Sequence, residues 1–192
     1  MSETPFSLKR FIIPSPENPI TGGGFEPDFF AAYTIQGTIA SQANGLDILY
    51  FLKGPVSHLE IPERVGNPAR TWNLWEKTCF EFFLALPNSP QYLEFNLSPS
   101  GQWNVFRFQD YRKGMQEEKT FSALPFHFQQ EAHGARLSIH LDLPTLAVAG
   151  RPVKAAISTV LKSIYGEFSY WALSHPAPQA DFHHRNSFVI AL

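Results

Sequence analysis

Four side chains near the middle of the chain have the chemistry needed to hold a polyhydroxylated ligand. They are two carboxylates, an amide and a guanidinium that recur in three neighbouring extended runs: Glu81, Glu94, Asn96 and Arg107. Carboxylates accept hydrogen bonds from ligand hydroxyls, whereas the guanidinium donates them. Trp75 precedes the first run, and its flat indole ring can pack on ligand C–H groups. Together these residue types predict a surface on which hydrogen bonds set ligand orientation and an aromatic ring supplies contact area.

The same acids, or a histidine-containing segment, could support catalysis instead. Glu81 and Glu94 lie on adjacent predicted strands and could stand at the spacing of a glycoside hydrolase pair. The segment HPAPQADFHH holds three candidate ligands for zinc or iron: His175, Asp181 and His183. Their spacing matches no closed metal signature. We therefore expect no catalytic residue and no bound metal, with a carboxylate- or metal-dependent hydrolase as the alternative.

Period-two alternation predicts the elements that position these side chains. The run TCFEFFLAL places Phe80 and Phe82 on one face and Glu81 on the other, because successive strand side chains alternate. The runs YLEFNLS and WNVFRFQDY alternate in the same way, and the short loops LPNSPQ and PSG predict antiparallel neighbours. The four polar side chains are then expected on a common face. The alternative is the ordinary solvated face of a half-buried sheet.

The rest of the chain consists of further extended segments separated by turns rich in Gly, Pro, Asn and Ser. This spacing predicts about eleven strands, an all-β fold and a single domain over residues 1–192. In ARLSIHLDL, alternate leucine and isoleucine side chains, including Leu143, are expected to point inward. The run VKAAISTVLK could form a helix, but its β-branched residues favour a strand, and Lys154 and Lys162 suit a sheet edge. Two long connections, Lys53–Arg70 and Leu173–Arg185, are expected to frame a binding site.

The composition excludes several classes of function. Of the 192 residues, 44% are hydrophobic and 17% are charged, which is typical of a folded domain rather than a disordered chain. A net charge of −2, without Lys/Arg clusters, indicates no nucleic-acid partner. The apolar runs fall far below the ~20 residues needed to span a bilayer, so we expect no membrane partner. The N-terminal segment does not resemble a secretory signal and the only cysteine is Cys79, which together predict a cytoplasmic location.

Three segments carry a resemblance to a known group of proteins: LWEKTCFEFFLA, YLEFNLSPSGQWNVFRFQDYR and ADFHHRNSF. In these segments the chain resembles the bacterial DOMON-like domain proteins, which are related to the family nine carbohydrate-binding modules. The resemblance implies an immunoglobulin-like antiparallel β-sandwich of about ten strands in two sheets. It also implies that Trp75 stacks on a sugar ring, that Glu81 accepts and Arg107 donates hydrogen bonds to its hydroxyls, and that Trp171 is a second clamp.

We therefore expect a non-catalytic module that binds a small saccharide or a sugar-derived ligand and has no cofactor. Some DOMON relatives bind haem through Met and His, and here Met115 is the one methionine besides Met1, without an identifiable His partner. A haem-binding domain is thus one alternative. A protein-interaction domain that pairs through a sheet edge and has no small ligand is another. The sequence makes no prediction of oligomeric state.

Overall fold

Thirteen β-strands and no α-helix make up the regular structure of residues 2–12, 28–42, 45–142 and 152–192, which are those that the computed structural model describes. None of the short helical turns within these ranges is long and apolar enough to cross a membrane. The strands are β1 (Ser2–Ser7), β2 (Lys9–Arg10), β3 (Thr34–Ser41), β4 (Gly45–Lys53), β5 (Cys79–Ala85), β6 (Tyr92–Leu97), β7 (Trp103–Phe108), β8 (Gln116–Glu117), β9 (Phe126–Glu131), β10 (Gly134–Asp142), β11 (Lys154–Lys162), β12 (Phe168–Ala172) and β13 (Ile190–Ala191).

The strands form two antiparallel sheets whose apolar faces meet in one core. The five-stranded sheet has the order β1-β3-β4-β10-β9. The eight-stranded sheet has the order β2-β12-β11-β5-β6-β7-β8, and β13 pairs with β11. The predicted all-β fold of two sheets is confirmed, and the two short loops join β5, β6 and β7 as antiparallel neighbours. More strands occur than the predicted eleven because β2, β8 and β13 have only two residues each, too few to show alternation.

The core lies between the sheets, where alternate residues of each long strand point inward. Phe82 of β5 and Phe95 of β6 stack with their ring centroids 4.2 Å apart and their planes within 8°. The hydroxyl of Tyr50 on β4 donates a hydrogen bond of 2.8 Å to the backbone carbonyl of Glu81, which ties the two sheets together. Burying an aromatic or aliphatic side chain of this kind stabilises the fold by roughly 1.5–3 kcal/mol. β10 has the predicted alternation, while Leu143 lies outside the described residues.

β11 lies inside the eight-stranded sheet, so the prediction that Lys154 and Lys162 protect a sheet edge is wrong. The strand pairs with β5 on one side and with β12 and β13 on the other. Every residue between the two lysines is buried. A strand covered on both faces has an apolar sequence without a polar face, which is why the alternation of this run is weak.

The outer face of the eight-stranded sheet is covered as well, so the alternative of an ordinary solvated face is wrong for this part of the sheet. The turn Leu74–Glu76 and the segment 181–188 contribute to the covering layer. The cluster beneath that layer consists of Phe83, Ala85, Tyr92, Phe106, Phe108, Ala156 and Phe188, with Trp75 and Phe182 packed against it. Polar side chains on this face are consequently buried, including both central glutamates.

Candidate binding cavity

A cavity of about 360 Å³ opens on the outer face of the eight-stranded sheet. Three strands of the sheet centre contribute its base, and the segments around residues 75, 112 and 182 contribute its walls. The lining residues are Trp75, Glu81, Glu94, Phe108, Arg112, Met115, Val160, Tyr170, Ala180, Phe182 and His183. Apolar and aromatic side chains combine here with a few convergent polar groups, which is the usual make-up of a small-molecule site.

Two glutamates lie at the base of the cavity because of the register of β5 and β6. Glu81 pairs with Asn96, and Glu94 pairs with Phe83, so both carboxyl groups occupy the outer face on neighbouring strands. Their residues are only 2% and 5% exposed. The Asn96 amide donates a hydrogen bond of 2.9 Å to Oε1 of Glu94, and the Ser158 hydroxyl donates one of 3.3 Å to Oε2 of Glu81. These bonds fix the position of the two acids.

Burial of the two glutamates favours their protonated forms. It raises the pKa of Glu94 to about 7, against the opposing effects of the Asn96 hydrogen bond and the Arg112 charge. It also raises the pKa of Glu81 well above its usual range, and the charge of Glu94 adds to that rise. Two acids this close do not readily ionise together. Near neutral pH the pair therefore retains at least part of one proton.

His183 contributes a polar group to the wall above the glutamates. Its Nδ1 lies 2.8 Å from the hydroxyl of Tyr92, which also accepts a hydrogen bond of 3.2 Å from the backbone N–H of Arg112. Burial raises the pKa of Tyr92 to about 12, so this hydroxyl stays protonated and can donate a hydrogen bond to Nδ1 in the tautomer that is protonated on Nε2. Burial, with the nearby charge of Arg112, lowers the pKa of His183 to about 4. The imidazole is therefore neutral, and in that tautomer its Nε2–H faces the cavity base, with Nε2 3.9 Å from Oε2 of Glu94.

Asp181 joins the two loops that form the walls. Its Oδ1 accepts hydrogen bonds from Nη2 of Arg112 at 2.9 Å and from the backbone N–H of His183 at 3.1 Å. Its Oδ2 accepts one from the hydroxyl of Tyr111. Although burial raises the pKa of Asp181, these bonds outweigh it and hold the pKa below its usual value. Arg112 has a left-handed backbone with φ of 53°, which turns its loop back over the sheet.

Aromatic rings form the rest of the walls. Trp75 is half-buried and packs edge-to-face on Phe106 with 5.9 Å between ring centroids. Tyr170 and Phe182 pack edge-to-face at 6.1 Å, and the Tyr170 residue is 38% exposed. Phe108 stacks on the ring of Tyr92 at 4.8 Å. Flat apolar faces thus surround the acidic base of the cavity.

The structure brings together some of the residues that the sequence predicts for the site. Trp75, Glu81 and Glu94 all line the cavity. Asn96 is completely buried beneath it and holds Glu94 through the amide hydrogen bond. Trp72 is 53% exposed and lies outside the cavity lining, whereas Trp75 is half-buried.

Arg107 and Trp171 lie elsewhere, which corrects their predicted placement. Arg107 pairs with Leu93 in the register of β6 and β7, so it occupies the opposite face from Glu94. Its Nε donates a hydrogen bond of 2.6 Å to Oε2 of Glu118 at the end of the sheet. Trp171 is 5% exposed and belongs to the core between the sheets. The common face therefore contains the two glutamates and Asn96 but not Arg107.

The candidate metal ligands do not converge. Nε2 of His175 lies 2.8 Å from the backbone carbonyl of Lys9, whereas Asp181 binds the Tyr111 and Arg112 side chains. Within the described residues, no group of three or more His, Cys, Asp or Glu side chains is arranged to hold a metal ion. Met115 and His183 do line the same cavity, but Nε2 of His183 faces the Glu94 carboxyl.

Several lining residues were not predicted from the sequence. Tyr170 takes the position expected for Trp171, because the pairing of Val160 with Tyr170 places this ring on the outer face. Arg112 could not be predicted from alternation of polar and apolar residues, since it lies in a turn just beyond β7. The long connection Leu173–Arg185 does supply Ala180, Phe182 and His183, as expected of a loop that frames a site. The other long connection, Lys53–Arg70, supplies none of the lining residues.

In fold, the chain is similar to a proposed carbohydrate-binding protein from Bacteroides uniformis ATCC 8492, with a TM-score of 0.65 and 13% identity over 96% of this chain and 84% of that one. It is also similar to a family 9 carbohydrate binding module from Caldicellulosiruptor kristjanssonii in complex with glucose, with a TM-score of 0.46 and 10% identity over 82% of each chain. No protein-family profile and no curated protein sequence matches the chain. The first likeness shows a shared β-sandwich fold.

Proposed function

We propose that this protein is a non-catalytic module that binds a small saccharide or a sugar-derived ligand in the cavity above β5 and β6. The observation that carries the proposal is the combination of aromatic walls with buried, convergent hydrogen-bonding groups in one cavity of about 360 Å³. Trp75 and Tyr170 supply flat faces for the C–H surface of a sugar ring. Glu81, Glu94 and the Nε2–H of His183 supply acceptors and a donor for its hydroxyls.

Two further observations support a saccharide as the ligand class. The fold is shared with a proposed carbohydrate-binding protein from Bacteroides uniformis over most of both chains. The segments that resemble DOMON-like domain proteins also include Trp75, both glutamates and His183. We propose kinship with that group on the same grounds.

The test is a calorimetric titration of purified protein with a panel of hexoses, hexosamines and disaccharides. Trp75→Ala removes a lining ring, and we expect it to weaken binding about tenfold or more, since a stacked aromatic typically contributes about 1–2 kcal/mol. Trp72→Ala is the matched control, because Trp72 is exposed and does not line the cavity. Affinity should be unchanged in the control.

Either of two results would remove the proposal. The first is the absence of measurable binding across the panel by the folded wild-type protein. The second is binding that Trp75→Ala and Trp72→Ala leave equally intact, because the sugar would then occupy another surface.

A glycoside hydrolase is the second candidate function, and the specific observation in its favour is the pair of buried carboxyl groups in one cavity. In a hydrolase, one of these acids would protonate the leaving-group oxygen. The other would either attack the anomeric carbon or deprotonate a water molecule that attacks it. Release of nitrophenol from a panel of nitrophenyl glycosides distinguishes the two. Turnover that is lost in Glu94→Gln would establish the hydrolase, whereas binding without turnover supports the module.

A further inference from the structure

In the described part of the chain, the ionised forms of the two glutamates have no unpaired cation beside them in the cavity. Glu81 and Glu94 are the acids at its base, and Arg112 is the cation among the lining residues. The guanidinium of Arg112 is already paired with Asp181 at 2.9 Å. His183 is neutral, because burial and the charge of Arg112 lower its pKa to about 4. Once the pair of Arg112 and Asp181 is set aside, the glutamates have no countercharge from the lining residues.

Each glutamate also keeps an acceptor atom without a hydrogen bond from the described residues. Ser158 occupies Oε2 of Glu81 and leaves its Oε1 free. Asn96 occupies Oε1 of Glu94, and the nearest donor to Oε2 is Nε2 of His183, at 3.9 Å. This distance is too long for a hydrogen bond. Both carboxyl groups line the cavity, so these free oxygens can accept hydrogen bonds from a ligand or from water there.

The walls of the cavity are suited to the same kind of ligand group. Trp75, Phe108, Tyr170 and Phe182 present aromatic rings around the two acids. The faces of such rings carry partial negative charge and attract ammonium groups, most strongly when water is excluded. Aromatic rings and carboxylates therefore both attract a cationic ligand, and both repel an anionic one.

We propose that the preferred ligand carries an ammonium group, as in a hexosamine, and that this group lies between Glu81 and Glu94. This inference rests on the proposed saccharide function and specifies its ligand class. The ammonium group donates to the free oxygens of the two carboxylates, and the sugar ring packs against the aromatic walls. A neutral sugar of the same size would leave the protons of the two acids in place and gain no ion pair.

Binding of a cation between the two acids has a further consequence for their protons. The other charged or titratable groups near the pair are Cys79 on β5, Tyr50 from the opposite sheet and Tyr92 on β6, besides Arg112, Asp181 and His183. Burial raises the pKa of the Cys79 thiol and of both tyrosines, so all three stay protonated near pH 7. Only the glutamates can then lose protons. An ammonium ligand should displace about one proton from the pair on binding.

The experiment compares D-glucosamine with D-glucose and N-acetyl-D-glucosamine by isothermal titration of the wild-type protein. At about pH 7 an amine of this class is largely protonated. We expect D-glucosamine to bind about tenfold or more tightly than either neutral sugar. Repeating the titration in buffers of different ionisation enthalpy should show proton release for D-glucosamine and not for D-glucose. Glu94→Gln should reduce the preference to within about twofold, while Glu131→Gln, an exposed acid on the other sheet, should keep it.

The outcomes separate this inference from the proposed function. Binding of D-glucose or N-acetyl-D-glucosamine as tightly as D-glucosamine overturns the ammonium inference and leaves the saccharide module standing. An amine preference without proton release, or one that both Glu94→Gln and Glu81→Gln retain, also overturns it. Failure of all three sugars to bind overturns the ammonium inference, and failure of the whole sugar panel overturns both. The wild-type comparison needs no variant, so it remains decisive even if Glu94→Gln does not fold.

Discussion

Nε2 of His183 lies 3.9 Å from Oε2 of Glu94, and this pair joins the loop above the cavity to the strand beneath it. Their proximity would suggest a salt bridge, but burial raises the pKa of Glu94 to about 7 and lowers that of His183 to about 4. Both shifts favour the uncharged forms. At neutral pH the pair is therefore a neutral imidazole facing a partly ionised carboxyl, just beyond hydrogen-bonding distance.

The first prediction concerns the pH dependence of folding stability. Because the pKa of Glu94 rises from 4.5 to about 7 on folding, its contribution to stability is present below about pH 4.5 and is lost as pH rises through 7. The difference in unfolding free energy between wild type and Glu94→Gln should therefore fall by about 3 kcal/mol between roughly pH 4 and pH 8. Urea unfolding of both proteins at several pH values measures it.

The measurement compares two proteins because titration of His183 changes the unfolding free energy with pH in the opposite direction to titration of Glu94. Its pKa falls from 6.5 to about 4 on folding, so its contribution is present above pH 6.5 and is lost as pH falls through 4. Both proteins contain His183, so subtracting the unfolding free energy of Glu94→Gln from that of wild type at each pH cancels this contribution. A difference that stays constant with pH, or rises, would contradict the buried state of Glu94.

A second prediction separates neighbouring residues on β12. Tyr170 faces the cavity and Trp171 faces the core, so the two substitutions should affect different properties. Tyr170→Ala should weaken ligand binding and change stability little. Trp171→Phe should lower the unfolding free energy by about 1–3 kcal/mol and leave affinity unchanged in the folded protein. Titration and thermal unfolding of both variants measure this, and the reverse pattern would contradict the assignment of faces.

A third prediction concerns the link between the two loops. Arg112→Ala removes the cation that holds Asp181, whose side chain is only 8% exposed, and should cost about 1–2 kcal/mol because the Arg112 side chain is half exposed. Amide hydrogen exchange should also become faster in the segment 181–188. Arg136→Ala is the matched control, since its ion pair with Glu131 is exposed on both sides and should contribute less than about 1 kcal/mol. Equal effects of the two substitutions would count against the link.

The fourth prediction concerns the single thiol. Cys79 is completely buried in β5, and burial, with the nearby charge of Glu81, raises its pKa well above the usual range. Both effects suppress the reactive thiolate. A thiol reagent should therefore modify the native protein far more slowly than the protein unfolded in guanidinium chloride. Rapid modification of the native form would show that β5 opens readily.

Alternation within single strands was enough to predict the inner faces of β5, β6 and β10. Phe82 and Phe95, both assigned to the apolar side, do pack together in the core. The same alternation placed Glu81, Glu94 and Asn96 together on the outer face, where they are found. In these strands the inward residues are all large and apolar, so the side that faces the core is unambiguous.

Alternation also held within β7, but Arg107 was assigned to the wrong face of the sheet, because a polar residue was assumed to share the face of the glutamates. In β7 both faces are covered, so the apolar Phe106 and Phe108 face the outer layer while Arg107 points to the other side. A long guanidinium side chain can occupy a core-facing position near the end of a sheet if its head reaches a partner, here Glu118. The covering loops themselves have no period, which is why Arg112 and the depth of the cavity could not be predicted.

The cavity lies on the outer face of the eight-stranded sheet. The outer face of the five-stranded sheet, on the opposite side of the molecule, can therefore be labelled without touching the cavity. The outward positions of β9 and β10, among them Gln129, Arg136 and His140, are exposed and belong to the five-stranded sheet. A cysteine introduced at Gln129 would be the one reactive thiol on the native surface, since Cys79 is buried. The protein could thus be immobilised or carry a dye there, with its cavity turned to the solution.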